Sequence, residues 1–289
     1  MVSSSTLKEL LNEYDKKQMI AISDLEKRKS ELYARIPRLQ EIETELNSFA
    51  IKTAKALLVK FDPSYISELQ NKANDLRLER ETILKKDGKD ISYLSPHYEC
   101  SKCKDTGYVL DDGKSVMCSC LKQQILNIEY NNSNIGNLDR ENFKKFNLNL
   151  YSDEVNEEKY GSDLSPRENI KVIGKEVKKF IKNFDDPNEK NLLFSGGTGL
   201  GKTFLSNCIV AELLAKGKTV LYQTAPVMLD NLISELFDKN SNNAFSQNLL
   251  SVDLLVIDDL GTETMNSMKF TELYKIDVYK RQAHSNFLL

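Results

Sequence analysis

The octapeptide Gly196-Gly197-Thr198-Gly199-Leu200-Gly201-Lys202-Thr203 constrains this chain more than any other stretch of it. It satisfies every defined position of G-x-x-x-x-G-K-[ST], and it lies between residues 191–195, which read as a strand, and a helical pattern running to Lys216. Glycines let the backbone curl until its N–H groups converge on a triphosphate, and the helix that follows adds its positive N-terminal end. In that geometry Lys202 reaches the β and γ phosphates, and the Thr203 hydroxyl ligates Mg²⁺. The alternative is a chance match in a glycine-rich loop, and the flanking strand and helix argue against it.

A second half of the same site follows. Leu254-Leu255-Val256-Ile257 is a continuous apolar run suited to a strand buried on both faces, and it ends in Asp258-Asp259. Carboxylates at the C-terminal end of such a strand point into the ligand crevice of a parallel sheet. Asp258 is the expected metal-side carboxylate, and Asp259 is the group expected to orient and polarise an attacking water. Acidic residues also end strands for mere solubility, but joined to the loop at 196–203 the pair reads as nucleotide hydrolysis. Strand patterns at 219–224 and 253–258, with helical patterns after 203 and from 227, give an α/β region with a parallel sheet. Ahead of them, Ser165-Pro166 forms an N-cap and first-turn pair for a helix ending near 184. Ile170, Ile173, Val177, Phe180, Ile181 and Phe184 make its apolar face. Lys171, Lys175, Lys178 and Lys182 make another stripe, which is either a solvated face or a track for a single-stranded DNA backbone.

Residues 191–276 contain the glycine-rich loop and then Val256-Ile257-Asp258-Asp259-Leu260-Gly261-Thr262-Glu263. This stretch resembles the AAA+ ATPases of the DnaC/DnaI helicase-loader and IstB transposition-helper group. The resemblance implies an α/β P-loop NTPase fold, ATP as the nucleotide, and hydrolysis to ADP and phosphate. Most AAA+ proteins carry Asp-Glu where this chain has Asp258-Asp259, so Glu263 stands as an alternative water-orienting group. A long helical region followed by a cysteine cluster is similar to the loaders of low-GC Gram-positive bacteria, whereas the transposition helpers have shorter, cysteine-free leaders. The implied partners are the hexameric replicative helicase, bound through the N-terminal region, and single-stranded DNA, with self-oligomers of a full-length form. Two rival readings share much of this sequence: an IstB-like transposition helper with the same engine, and a nucleotide-independent scaffold that binds helicase.

Residues 7–86 are rich in Glu, Lys, Leu and Ile, contain no Gly, and hold only Pro37 and Pro63. Ile22, Leu25, Leu32, Ile36, Leu39 and Leu46 fall on alternating three- and four-residue spacings, with Lys29 and Glu43 as charged interruptions of the seam. Pro37 should start or kink a helix, and Asp62-Pro63 signals another helix entry, after which Leu69, Leu76 and Ile83 recur every seventh residue. A helical hairpin is expected, packing on itself or docking a partner.

Cys100-x-x-Cys103 and Cys118-x-Cys120 are two short-spaced pairs joined by the turn-forming Asp111-Asp112-Gly113-Lys114. Folded back on each other they offer a tetrahedral thiolate cage, for which Zn²⁺ is the usual occupant. His97 could replace one thiol; unligated thiols and a redox Cys-x-x-Cys are the alternatives, the latter lacking a thioredoxin-like frame. Cys208, inside the helix after the loop, reads as a small buried apolar side chain. The polar connector at 131–163 carries the aromatic patch Phe143, Phe146 and Tyr151.

Forty Lys plus Arg against 43 Asp plus Glu leaves a net charge of −3, which argues against a tail-driven polyanion binder. No apolar run approaches the roughly 18 residues of a membrane span, and residues 1–5 lack a signal core, so no membrane association and a cytoplasmic location are expected. The family pattern breaks off at Ile276. Asp277-Val278-Tyr279-Lys280-Arg281-Gln282 matches one reading frame of a common transposase sequencing adaptor, so residues 277–289 are expected to be an artefact of a truncated read. The expected organisation is a helical hairpin at 1–87, a four-Cys zinc module at 88–122 and a linker at 123–164. A truncated AAA+ domain follows at 165–276. Its parallel sheet should be incomplete, with a gap between the loop strand and the Asp258 strand, unpaired edges and impaired hydrolysis.

Overall fold

Two prolines set the helix boundaries of the first part of the chain. In this computed structural model, which describes residues 4–59, 63–131, 135, 137–238, 243–262, 266–282 and 286–288, α1 spans Ser4–Arg35, α2 Pro37–Val59 and α3 Pro63–Lys86. Each proline takes a first helical position, where no N–H is needed and the fixed φ already suits a helix. Three helices therefore stand where a hairpin has two. The chain divides into two compact units, Lys8–Val109 and, in the main, Leu110–Leu289.

In the first unit, α1 buries Leu10, Tyr14, Ala21, Leu25 and Leu32, and α3 buries Ile66, Leu69, Ala73, Leu76 and Leu84. Ile22, expected on the seam, is 49% exposed; its neighbour Ala21 takes the inward position, about 100° round the helix. Lys29 and Glu43 do face one another, at 3.9 Å, and Arg80 of α3 reaches the same carboxylate at 3.3 Å. The seam thus carries one charged layer built from all three helices.

A short hairpin straddles the division, which falls inside its first strand. Strands β1 (Tyr108–Asp111) and β2 (Lys114–Met117) are joined by Asp112-Gly113 with φ of 45° and 76°. Two left-handed residues in a row give the turn whose twist matches that of antiparallel strands.

The second unit continues with α4 (Ser119–Leu126), α5 (Glu157–Tyr160), α6 (Pro166–Lys182), α7 (Lys202–Ala215), β3 (Val220–Thr224), α8 (Ala225–Phe237), α9 (Ala244–Ser251), β4 (Leu254–Asp258), α10 (Ser267–Gln282) and β5 (Asn286–Leu288). The N-cap expected at Ser165 is present, and Glu168 completes it as a capping box: the Ser165 hydroxyl accepts from the Glu168 N–H, and the Glu168 carboxylate accepts from the Ser165 N–H. Strand order is β3-β4-β5, all parallel, with Tyr222 opposite Val256 and Thr224 opposite Asp258. Side chains alternate across this sheet. Val220, Tyr222, Leu254, Val256 and Leu288 pack against Val177 and Phe180 of α6 and Ile209 and Leu213 of α7. Leu221, Leu255 and Ile257 pack on the other face with α8, α9 and Ile276 of α10.

Two expectations are corrected here. No gap separates β4 from the loop segment among the described residues: β5 lies beside β4, and its Leu288 bridges to Leu192. Ladder bonds are made by the backbone, so an extended segment from 277–289 supplies them whatever its origin. Because β5 is three residues long, the strand expected at 191–195 reduces to that one bridge. Nor is 123–164 merely a linker. The side-chain amides of Gln123 and Asn131 bond to the backbone of Val220 and Tyr222, covering the edge of β3. Among the described residues no helix is long and apolar enough to cross a membrane.

Candidate functional site

Strand alternation explains why the two halves of the nucleotide motif meet. Asp258 closes β4 on the face that carries Tyr222 and Val256, and that is the face on which α7 lies. The first turn of α7 therefore arrives at the Asp258 carboxylate. Thr203 Oγ1 donates to Asp258 Oδ2 at 3.0 Å. Lys202 Nζ donates to the carbonyls of Gly196 at 2.8 Å and Gly197 at 3.0 Å, so the ammonium stands at the mouth of the loop. Gly196, Gly199 and Gly201 have φ of 148°, 79° and 94°, a backbone that L side chains rarely adopt. A cleft of about 340 Å³ is lined by Gly196, Thr198, Lys202, Ser206, Asp258, Asp259 and neighbouring residues. Leu200, at the turn of the loop, is 57% exposed.

The acidic pair divides in character. The Asp258 carboxylate is held from two sides, Oδ1 accepting from the Asp259 N–H at 2.9 Å and Oδ2 from the Tyr222 hydroxyl at 2.7 Å. Asp259 is exposed, with φ of 57°, and its carbonyl accepts from the Thr262 hydroxyl. A non-glycine residue in that region is strained by about 1 kcal/mol or more, and here the strain directs a second carboxylate into the cleft. Glu263 lies outside the described residues. The hard oxygens of Thr203 and Asp258 at the mouth of a phosphate loop fit Mg²⁺.

Tyr222 escaped the sequence reading. It is 2% exposed, and burial first, then its bond to Asp258, push its hydroxyl well above the usual phenol range. One polar aromatic in a strand whose alternation matches that of the acidic strand was the available signal. The aromatic patch is also at the loop: Phe146 lies between Tyr151 and Phe204 of α7, with centroids 6.0 and 5.9 Å away, and the Tyr151 hydroxyl donates to the Leu200 carbonyl at 3.2 Å. Arg167 fixes this strap by donating to the carbonyls of Leu148 and Tyr151. Cys208 is fully buried, and burial pushes its thiol up to about 12, in keeping with a packing role.

The sulfur atoms of Cys100, Cys103, Cys118 and Cys120 all lie within 4.8 Å of one another, and none of these residues forms a disulfide. Four thiolates at about 2.3 Å from a zinc ion sit about 3.8 Å apart on a tetrahedron, so the set could hold Zn²⁺. Asp105, unforeseen in the sequence, is 2% exposed and accepts from the N–H groups of Glu99 and Cys100. It thereby shapes the turn between the first two thiols. His97 is not in the cluster; its Nε2 lies 3.4 Å from Arg28 Nη1.

Residues 175–289 match the family described as IstB-like ATP binding protein. The replicative helicase loader DnaC of Escherichia coli K12 is 36% identical over 93 residues, covering 30% of this chain and 36% of the relative. The DnaC of Buchnera aphidicola subsp. Baizongia pistaciae is 36% identical over 89 residues, covering 30% and 35%. The chain thus spans little more than a third of the length of the curated relatives it matches. Among solved structures, a DnaC helicase loader is 25% identical with a TM-score of 0.37, covering 46% of this chain and 75% of that one. A DnaI structure is 22% identical with a TM-score of 0.39, covering 52% and 72%. Residues 175–289, which carry most of this site with its phosphate loop, lysine and acidic strand end, are therefore similar to the IstB-like ATP binding proteins and, over a shorter stretch, to the DnaC helicase loaders.

Proposed function

We propose that this chain is the ATP-binding and ATP-hydrolysing engine of a replicative-helicase loader, with its N-terminal helices as the helicase-binding part. The observation that carries the reading is the convergence of Lys202, Thr203 and Asp258 on one cleft. Lys202 exchanges its loop carbonyls for the β and γ phosphates. Thr203 and Asp258 hold Mg²⁺, which neutralises phosphate charge when bound. Asp259 orients the attacking water, with Glu263 as the alternative. Single-stranded DNA is the second partner, and the exposed stripe Lys171, Lys175, Lys178 and Lys182 on α6 supports a backbone contact. Self-oligomers of a full-length form belong to the same reading, and a zinc ion on the four thiols gives the segment at 88–122 a fixed shape.

Relatives described as helicase loaders support the choice of partner. The test is capture of a hexameric replicative helicase by the wild-type chain and by Lys202→Ala, each with ATP, with ADP and without nucleotide. The expected result is nucleotide-dependent capture by wild type alone, together with at least a tenfold weaker ATP affinity of the variant, about 1.4 kcal/mol. Equal capture in all conditions would turn the reading to a nucleotide-independent scaffold. The IstB-like family description favours one rival, the transposition helper, and capture of a transposase in place of the helicase would decide for it.

A further inference from the structure

We infer that Tyr222 is a positioning residue that fixes the Asp258 carboxylate for magnesium, an inference that rests on the proposed Mg²⁺-dependent binding of ATP. Tyr222 lies on β3, two residues before the end of the strand, on the sheet face that β4 shares with Asp258. Its ring packs in the core beneath α6 and α7, and the residue is 2% exposed. From there its hydroxyl donates to Asp258 Oδ2 at 2.7 Å, while the Asp259 N–H holds Oδ1 at 2.9 Å. Thr203 approaches the same Oδ2 from the solvent side at 3.0 Å.

The three donors are not equivalent. Thr203 and Asp258 are both needed on the metal, so their mutual bond is the one exchanged when Mg²⁺ enters. The bonds from Tyr222 and from the Asp259 backbone come from groups that do not leave, and they stop the carboxylate from rotating. Magnesium demands near-octahedral geometry at short distances, whereas calcium accepts irregular sites with longer bonds. A carboxylate free to rotate should therefore lose Mg²⁺ more than Ca²⁺. Removing the phenol hydroxyl also leaves more negative charge on Oδ2, and that effect moves both ions in the same direction. The ratio between the ions separates orientation from charge.

The experiment titrates a fluorescent ATP analogue on the full chain and on Tyr222→Phe, with Mg²⁺, with Ca²⁺ and in EDTA, alongside thermal melts of both proteins. The ring and its packing remain in the variant. Its half-maximal Mg²⁺ concentration is expected to rise about tenfold, the low end for losing a hydrogen bond to a metal-holding group. The Ca²⁺ value should move less than about twofold, and affinity in EDTA should stay at the wild-type level. Unchanged Mg²⁺ dependence in the variant, or parallel shifts for both ions, would overturn the role of Tyr222. Nucleotide binding by wild type that ignores Mg²⁺ would overturn the proposed metal-dependent reading and this inference with it.

Discussion

Gln123 and Val220 exchange two hydrogen bonds across the edge of the central sheet: Gln123 Oε1 accepts from the Val220 N–H at 2.6 Å, and Gln123 Nε2 donates to the Val220 carbonyl at 3.0 Å. A side-chain amide has the donor and acceptor of a peptide group, so it stands in for a neighbouring strand. Asn131 repeats the device on Val220 and Tyr222. Gln123→Leu keeps a similar volume and removes both partners. Asn131 still donates to the Val220 carbonyl, so the group left unsatisfied is the buried Val220 N–H, and a loss of roughly 1–3 kcal/mol is expected. Urea unfolding measures it, and a midpoint within error of wild type would show that the edge is protected by other groups. The exposed edge should also make the variant more prone to association by light scattering.

Zinc removal should act locally. The four thiols span 100–120, and apart from them the segment is held by small features such as the Asp105 bonds and the Asp112-Gly113 turn. Chelation, or Cys103→Ser, is expected to expose residues 88–122 to limited proteolysis at least several-fold faster, while ATP affinity changes less than about twofold. Metal analysis of the purified protein should give one zinc per chain. An unchanged digestion pattern after chelation would rule out a metal-held module.

What could be read in advance was whatever depends on local spacing. The loop at 196–203, the acidic strand end, the N-cap pair Ser165-Pro166 and the paired cysteines are each a few residues with fixed offsets. Backbone geometry alone turns those offsets into contacts. Two of the residues missed act instead across a long sequence separation. Tyr222 reaches Asp258, and Gln123 reaches Val220. Nothing in composition distinguishes a glutamine that caps a strand edge from one that meets water. The sheet gap was misjudged for a related reason: backbone pairing is indifferent to side-chain identity, so family pattern could not foretell that residues 286–288 lie beside β4. Ile22 was placed one residue out of phase because a seam of threes and fours tolerates two phasings until a partner helix selects one.

Gly201 should tolerate no side chain. Its φ is 94°, and a Cβ there would lie 2.8 Å from the Tyr151 hydroxyl oxygen. Gly201→Ala combines a backbone penalty of about 1–2 kcal/mol with loss of the Tyr151–Leu200 bond, so ATP affinity should fall about tenfold or more. Tyr151→Phe added to that variant removes the clashing oxygen but leaves the backbone strain. Partial recovery is the expected result of a fluorescent-nucleotide titration on both proteins. Full recovery would mean that the loop conformation itself carries little of the affinity.

Lys280 supplies a pH dependence with a defined sign. Its side chain has no exposure, and the ammonium donates to the Val252 carbonyl at 2.6 Å. Burial lowers its pKa from 10.5 to about 8, with Lys122 adding to the effect and Asp253 opposing it. Between those two values the unfolded chain holds the proton and the folded chain does not, so stability rises with pH across that window. Below about pH 8 both forms are charged, and the buried ammonium destabilises the fold by at most about 3 kcal/mol. Lys280→Met removes that penalty and also the bond to Val252, which opposes it by about 1–3 kcal/mol. The variant's stability relative to wild type should therefore fall steadily as pH is raised from 7.5 to 10.5, because only wild type gains. Paired urea unfolding curves across that range measure the difference, and a constant offset would show that Lys280 keeps its ordinary affinity for protons in the folded chain.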